Sequence, residues 1–184
     1  TDMQKFSLEM KNGWEVFAKT YINTMEKQTF SFYVMLTNMM KIDQAKNIIE
    51  VAGGSGFALQ YAKMIIQPEC KYTMCDFSEN MMKMAFHRLC QLGKIEKQLP
   101  DSFNSLIEFP ELNMSIMEAD NMDLSYFPNE SFDRYISVLS IMLVEDPQKQ
   151  IKEAFRVTQK GGLVAFTVAG RKENATLLST YPRI

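Results

Sequence analysis

The spacing of apolar positions changes character partway along the chain. From residue 3 to 40 it is helical: Phe6, Met10, Trp14, Phe17, Tyr21 and Met25 recur at steps of three and four and form one stripe. Asn12-Gly13 predicts a break into two helices. Phe30, Phe32, Tyr33, Val34 and Leu36 then make a denser stretch that must be buried or face a partner. Such a leading segment covers a sheet, or its aromatics, Trp14 and Tyr21 among them, roof a cleft. After residue 45 the apolar runs become short and β-branched. Ile48, Ile49 and Val51 predict a buried parallel strand, and Lys71–Cys75, Asn113–Glu118, Phe132–Leu139 and Leu163–Val168 predict four more.

Helices fall between several of these strands. Phe57 to Gln67 is stopped by Pro68. Ser78 is an N-cap for a helix to Leu92, with Gly93 as its stop. Asp146-Pro147 starts a helix over Gln148–Gln159 that carries Ile151, Ala154, Phe155 and Val157 on one face and ends at Gly161-Gly162. Residues 94–112, with Pro100 and Pro110, read as a connection holding at most one short helix, and Pro128-Asn129-Glu130 as a turn. Strands alternating with helices make a parallel, doubly wound α/β sheet.

Composition adds exclusions. A chain of 184 residues is one domain's worth and can bury a real core. The formal net charge of −2 points to no polyanionic partner, so no nucleic acid is expected. Cys70, Cys75 and Cys90 lack paired ligand spacing and His87 is the single histidine, so no metal is expected. His87 also lies well away from any strand end and reads as an ordinary helix residue. The odd cysteine count fits a reducing compartment. With no apolar run near the roughly 18 residues of a membrane span and no signal peptide, the expected location is cytoplasmic. A mitochondrial address trimmed before Thr1 is compatible. The 15 methionines read as flexible core filler.

In doubly wound sheets ligands bind beyond the carboxyl ends of the strands. That rule gathers Ala52-Gly53-Gly54-Ser55-Gly56, Asp76, Asp120-Asn121 and Ser137–Ser140 onto one rim. The glycines let a ligand approach the backbone, and the helix that follows offers free N–H groups. Asp76 follows them by about 20 residues, the separation at which a carboxylate meets ribose hydroxyls. Asp120, on the neighbouring loop, can accept from an adenine amino group. Gly54-Ser55-Gly56 is followed by Phe57, Ala58 and Leu59, so the third small residue of a dinucleotide fingerprint is absent, and no Gly-Lys-Ser/Thr follows. The crevice prefers a nucleoside without pyrophosphate.

Glu50-Val51-Ala52-Gly53-Gly54-Ser55-Gly56 resembles the first motif of class I S-adenosylmethionine-dependent methyltransferases. Cys75-Asp76-Phe77-Ser78-Glu79-Asn80-Met81-Met82 resembles their second. Glu118-Ala119-Asp120-Asn121-Met122, with Phe127 to Asp133, resembles the third and its turn, and Glu153–Val157 with Gly161-Gly162 the later helix and glycine pair. The closest flavour is the quinone and sterol methyltransferase subgroup. The resemblance implies a Rossmann-like, mostly parallel sheet with an N-terminal helical cap over residues 1–44 and a cofactor-binding core over residues 45–184. It implies S-adenosylmethionine as cofactor and a small-molecule or lipid-like methyl acceptor. It places Glu50 and the backbone of Ala52, Gly53, Gly54, Ser55 and Gly56 at the methionine arm, and Asp76 at the ribose. Phe77 and Met81 then pack near the adenine and Asp120 at its amino group, flanked by Asn121 and Met122. Ser137 and Val138 lie beside the amino acid part, and Tyr21 closes over the cofactor. No catalytic base is assigned; Glu145 and Tyr21 are those to test.

Two departures are expected to matter. Ala52 stands where the family has its first glycine and is tolerable only if its φ is negative. The family's antiparallel C-terminal hairpin is expected to be missing, Arg171–Ile184 supplying a loop and the start of a helix. An open edge would then want a partner, a second copy or another chain. These features motivate the competing reading of a catalytically inactive, methyltransferase-like interaction module. A nucleic-acid methyltransferase is weaker, because Ser140-Ile141-Met142-Leu143 stands where an Asn/Asp-Pro-Pro-aromatic tetrapeptide would.

Overall fold

A computed structural model describes residues 2–170, with side chains from residue 8 onward. The expectations for Phe6's side chain, for Arg171–Ile184 and for a missing hairpin lie outside the described residues. In chain order the elements are α1 (Asp2–Thr24), α2 (Glu26–Met39), β1 (Asn47–Val51), α3 (Leu59–Ile65), β2 (Lys71–Asp76) and α4 (Glu79–Gly93). They continue with β3 (Ile107–Phe109), β4 (Met114–Glu118), β5 (Phe132–Val138), α5 (Pro147–Val157) and β6 (Thr158–Thr167). The six strands form one sheet in the order β3-β4-β2-β1-β5-β6. All pairings are parallel except β3 with β4, so the sheet is mostly parallel, as the alternation predicts.

Neighbouring residues of β1 feed opposite layers. Ile48 joins Tyr72, Met74 and Ile116 under α2, α3 and α4, where Tyr33, Leu36, Leu59, Ala62, Met82, Phe86 and Leu89 complete a buried cluster. Ile49 and Val51 join Cys75, Met117 and Tyr135 on the other face, closed by Ala154 and Val157 of α5 with Leu124 and Phe127 from the loop before β5. Residues buried on both faces explain why these strands read as near-continuous apolar runs. Arg134 Nε donates to the Met40 carbonyl at 2.7 Å, and Asp133 takes the Lys46 and Asn47 N–H groups at 2.8 and 3.3 Å, tying the end of α2 to the start of β1.

Several local expectations are corrected. The N-terminal break falls at Met25 rather than Asn12-Gly13. Nothing packs within 4 Å of where a Gly13 Cβ would be, so the helix simply runs through it. Residues 94–112 contain β3, and Pro110–Leu112 forms a 3₁₀ turn. After α4 the left-handed residue is Lys94, with φ 52°, and Gly93 is the last helical residue. In α5 the buried residues are Gln150, Ala154 and Val157, while Ile151 and Phe155 are 49% and 82% exposed. Ala154 and Val157 of the expected face go inward, and Gln150 joins them in place of Ile151 and Phe155. Finally, the helix ends at Val157, and Gly161-Gly162 lies inside β6. Gly161 has φ 80°, open only to glycine without strain, where the β5–β6 register shifts.

Ala52 departs from the condition set by the sequence: its φ is +52°. A Cβ in the left-handed region costs about 1–2 kcal/mol. Ala52→Gly should therefore raise stability by about 1 kcal/mol, or roughly 2–4 °C in melting temperature for a chain of this size. An unchanged or lower melting temperature would show the position unstrained.

Candidate functional site

The register aligns the strand ends. Val51 pairs with Cys75 and with Ser137, and Asp76 pairs with Glu118. The residues that follow therefore share one rim: Ala52–Gly56 after β1, Phe77 after β2, Ala119-Asp120 after β4 and Leu139-Ser140 after β5. Two non-glycine residues with left-handed backbone, Ala52 and Leu139 (φ 54°), follow the neighbouring strands β1 and β5. Strain of that kind collects at functional sites.

Asp76 sits at the focus. One carboxylate oxygen accepts the Gly54 N–H at 2.8 Å and the other the Ser78 N–H at 2.9 Å. It thus joins the glycine turn to the start of α4, where the Ser78 hydroxyl accepts the Met81 N–H at 3.3 Å. Each oxygen keeps a further lone pair for a ligand. Asp76 is buried, and burial pushes its carboxyl up to about 6, the backbone donors of Ser78, Gly54 and Phe77 pulling the other way and the Glu15 charge adding to the rise. Glu50, on β1, is also buried and accepts the Tyr72 hydroxyl at 2.8 Å; Tyr72 in turn bonds Tyr33 at 2.7 Å. Burial pushes Glu50 up to about 7, against the Tyr72 bond and with the like charge of Asp76 adding.

The glycine turn is built for close approach. Gly54 has φ 60°, where any side chain is strained, and a Cβ on Gly53 would sit 2.3 Å from Met74 Cγ, so Gly53 admits none unless Met74 moves. Met81 is buried beneath Gly54. Further along the rim, Lys11, Phe77, Asn104, Glu118, Ala119 and Asp120 line a cavity of about 260 Å³. That is below the roughly 300–1,000 Å³ of pockets that enclose a drug-sized molecule and is room for one ring system. Asp120 faces it while its Oδ1 takes the Met122 N–H at 2.8 Å.

α1 lies over this rim, held by contacts that sequence reasoning missed. Lys11 pairs with Glu118. The Glu15 carboxylate accepts the Asn80 N–H at 3.2 Å, and Asn80 Nδ2 donates to the Glu15 carbonyl at 3.2 Å. Tyr21 stacks edge-on with Trp14 at 5.6 Å and its hydroxyl bonds Thr29 Oγ1 at 2.7 Å. Burial holds the Tyr21 hydroxyl above its ordinary value, the Thr29 bond pulling the other way and the charges of Glu26, Asp76 and Glu50 adding to the rise.

Other predicted residues turn elsewhere. Ser137 is fully buried, and its hydroxyl bonds Ser140 at 2.5 Å and accepts from Gln150 at 3.1 Å, toward α5. Asn121 donates to the same Ser140 at 3.4 Å. Met122 Sδ accepts the Asp146 N–H at 3.3 Å, and Val138 packs against the core. Glu145 Oε1 is buried without a hydrogen-bond partner, and His87 is exposed on α4. Among the described residues no acid, cysteine and histidine cluster could hold a metal ion, and no helix is long and apolar enough to cross a membrane.

A scan of protein families matches residues 49–166 to the one described as "Methyltransferase domain". Rice (Oryza sativa subsp. japonica) 2-methyl-6-phytyl-1,4-hydroquinone methyltransferase 2, chloroplastic, is 33% identical over 116 residues, covering 63% of this chain and 27% of its own. The ubiquinone/menaquinone biosynthesis C-methyltransferase UbiE of Rickettsia bellii is 30% identical over 119 residues, 63% of this chain and 41% of its own. This chain thus spans about a quarter to two fifths of the length of these relatives. In fold it is similar to the methyltransferase solved with the Trm112 methyltransferase activator of Haloferax volcanii. The TM-score is 0.66 at 19% identity, over 88% of this chain and 62% of that one.

Proposed function

The chain belongs to the methyltransferase domain family, of the class I S-adenosylmethionine-dependent type, and from that premise we propose that it moves a methyl group from S-adenosylmethionine to a small-molecule or lipid-like acceptor. The observation that carries this reading is Asp76, a buried carboxylate bonded to the glycine turn at Gly54 and to the α4 start at Ser78. A second carboxylate, Glu50, is buried nearby, and a cationic ligand would offset the cost of both charges. S-adenosylmethionine, when bound, supplies a methyl group already activated on a positive sulfur.

Asp76 takes the ribose hydroxyls, and Glu50 with the backbone of Ala52, Gly53, Gly54, Ser55 and Gly56 holds the methionine arm. Phe77 and Asp120 receive the adenine, with Met81 packed beneath the glycine turn and Asn121 and Met122 flanking by their main chain; the cavity beside Phe77 and Asp120 is of a size for such a ring. Ser137 and Val138 back the amino acid part by their main chain. Residues 1–44 form the cap and residues 45–184 the core, with Tyr21 over the ligand and water kept out by α1. With orientation and exclusion of water supplying most of the effect, no dedicated base is required; Tyr21 and Glu145 are the groups to replace first. The relatives named for a hydroquinone and for ubiquinone/menaquinone biosynthesis support an acceptor of that small or lipid-like kind.

Calorimetric titration should give saturable binding of S-adenosylmethionine and of its demethylated product. No heat at millimolar ligand would overturn the proposal. The exposed Phe155 and Ile151 beside β6, an edge strand among the described residues, favour a second reading as an interaction module. It predicts a stable oligomer without turnover, and a monomer by size-exclusion chromatography that transfers methyl groups would rule it out.

A further inference from the structure

Glu26 opens α2 yet is only 5% exposed. Its two oxygens take both arms of the Arg88 guanidinium, Nη1 to Oε1 at 2.8 Å and Nη2 to Oε2 at 2.9 Å. Arg88 projects from α4 and lies 5.1 Å from the centre of the Phe57 ring. The same Nη1 reaches the glycine turn, donating to the Ser55 carbonyl at 3.3 Å and the Ser55 hydroxyl at 2.5 Å. The Ser55 hydroxyl in turn donates to Glu26. Residues 26, 55 and 88, from three separate segments, thus close around one peptide of the turn.

A two-pronged guanidinium–carboxylate bond is planar and fixes direction as well as distance. Glu26 is buried and the Arg88 side chain is 30% exposed, and a pair that takes a carboxylate out of water in this way gains little net stability over an apolar replacement. What it supplies here is position. Asp76 holds the turn at Gly54, and Arg88 holds it at the next residue, Ser55.

We propose that Glu26 and Arg88 are positioning residues that clamp the glycine turn to the N-terminal helices, so that grip on the amino acid arm of S-adenosylmethionine depends on the seating of α2. The proposal rests on the reading of the turn as that arm's seat. Neither residue need touch the ligand; both act through Ser55.

The test compares two probes by calorimetry: S-adenosylhomocysteine, which carries the arm, and 5′-methylthioadenosine, which lacks it. Glu26→Gln and Arg88→Lys should each lose at least tenfold in affinity for the first and less than threefold for the second. The double variant should be no worse than either single one, because the pair works as a unit. Ser55→Ala cuts the link at a small side chain and should show the same selective loss in milder form, even where the ion-pair variants fold poorly. Equal losses for both probes would mark general damage and overturn the clamp, as would unchanged affinity for the first. Wild-type protein that binds neither probe would overturn the functional reading, and the clamp's role with it.

Discussion

Between pH 5 and pH 8 the melting temperature of Glu50→Gln, relative to wild type, should climb by roughly 5–10 °C. In the native protein burial, offset in part by the Tyr72 hydroxyl, holds Glu50 near 7, whereas an unfolded chain releases that proton near the ordinary carboxylate value. The folded state therefore binds more protons than the unfolded one across this window, and stability falls as pH rises through it. The stability is fully present below about 4.5 and is lost by the time the pH passes 7. At about 1.4 kcal/mol per pH unit, the loss between pH 5 and pH 8 is about 2–3 kcal/mol. Glutamine keeps an acceptor for Tyr72 and carries no charge, so it escapes the loss. Any fixed cost of its amide is common to both pH values and cancels in the comparison.

The same substitution should weaken S-adenosylmethionine at pH 8 by about tenfold or more, since a bond to a charged group is worth roughly 1.5–3 kcal/mol. A gain in stability set against a loss in binding is the mark of a charge kept for function. Thermal melts and titrations at the two pH values check both halves. A difference between variant and wild type that does not move with pH would mean that Glu50 is ionised at little cost.

How far the sequence could be read follows from how local each signal is. Ile48-Ile49 and Tyr72–Cys75 are buried on both faces, so their runs announce strands without help from the rest of the chain. Asp76 and Asp120 were legible because each stands at or just after a strand end, and topology brings such places together. β3 was not, because Ile107-Glu108-Phe109 is three residues long and becomes a strand only by pairing with β4. The Ile151–Phe155 pair misled because a helix offers no sign of which apolar face meets the sheet, and Gln150 goes inward instead to bond Ser137, Ser140 and Tyr135. Glu26 and Arg88 lie 62 positions apart, and no spacing rule connects them. Ala52 shows the opposite case: its identity flagged the position, and only the backbone gave the sign of φ.

Asp76→Ala should lower affinity for S-adenosylhomocysteine about 100-fold while moving stability far less. The ribose loses a charged acceptor, worth about 1.5–3 kcal/mol. In addition the Gly54 N–H, which donates to Asp76 at 2.8 Å, loses its partner, so the turn must be re-ordered when the ligand binds. The two effects together reach about 3 kcal/mol, or two orders of magnitude. Stability responds differently because two effects oppose. Orphaning the Gly54 and Ser78 N–H groups is unfavourable, but removing a carboxyl that burial has pushed up to about 6 relieves a cost that grows above that pH. At pH 8 the melting temperature should therefore stay within a few degrees of wild type even though binding collapses. Asp76→Asn makes the sharper comparison. It has nearly the same shape, yet its amide offers a single acceptor and turns an NH₂ toward one of the two backbone N–H donors, so it should bind no better than alanine. If Asp76→Asn kept an affinity within threefold of wild type, neither the charge nor the second acceptor would matter, and the ribose would have to rest elsewhere on the rim.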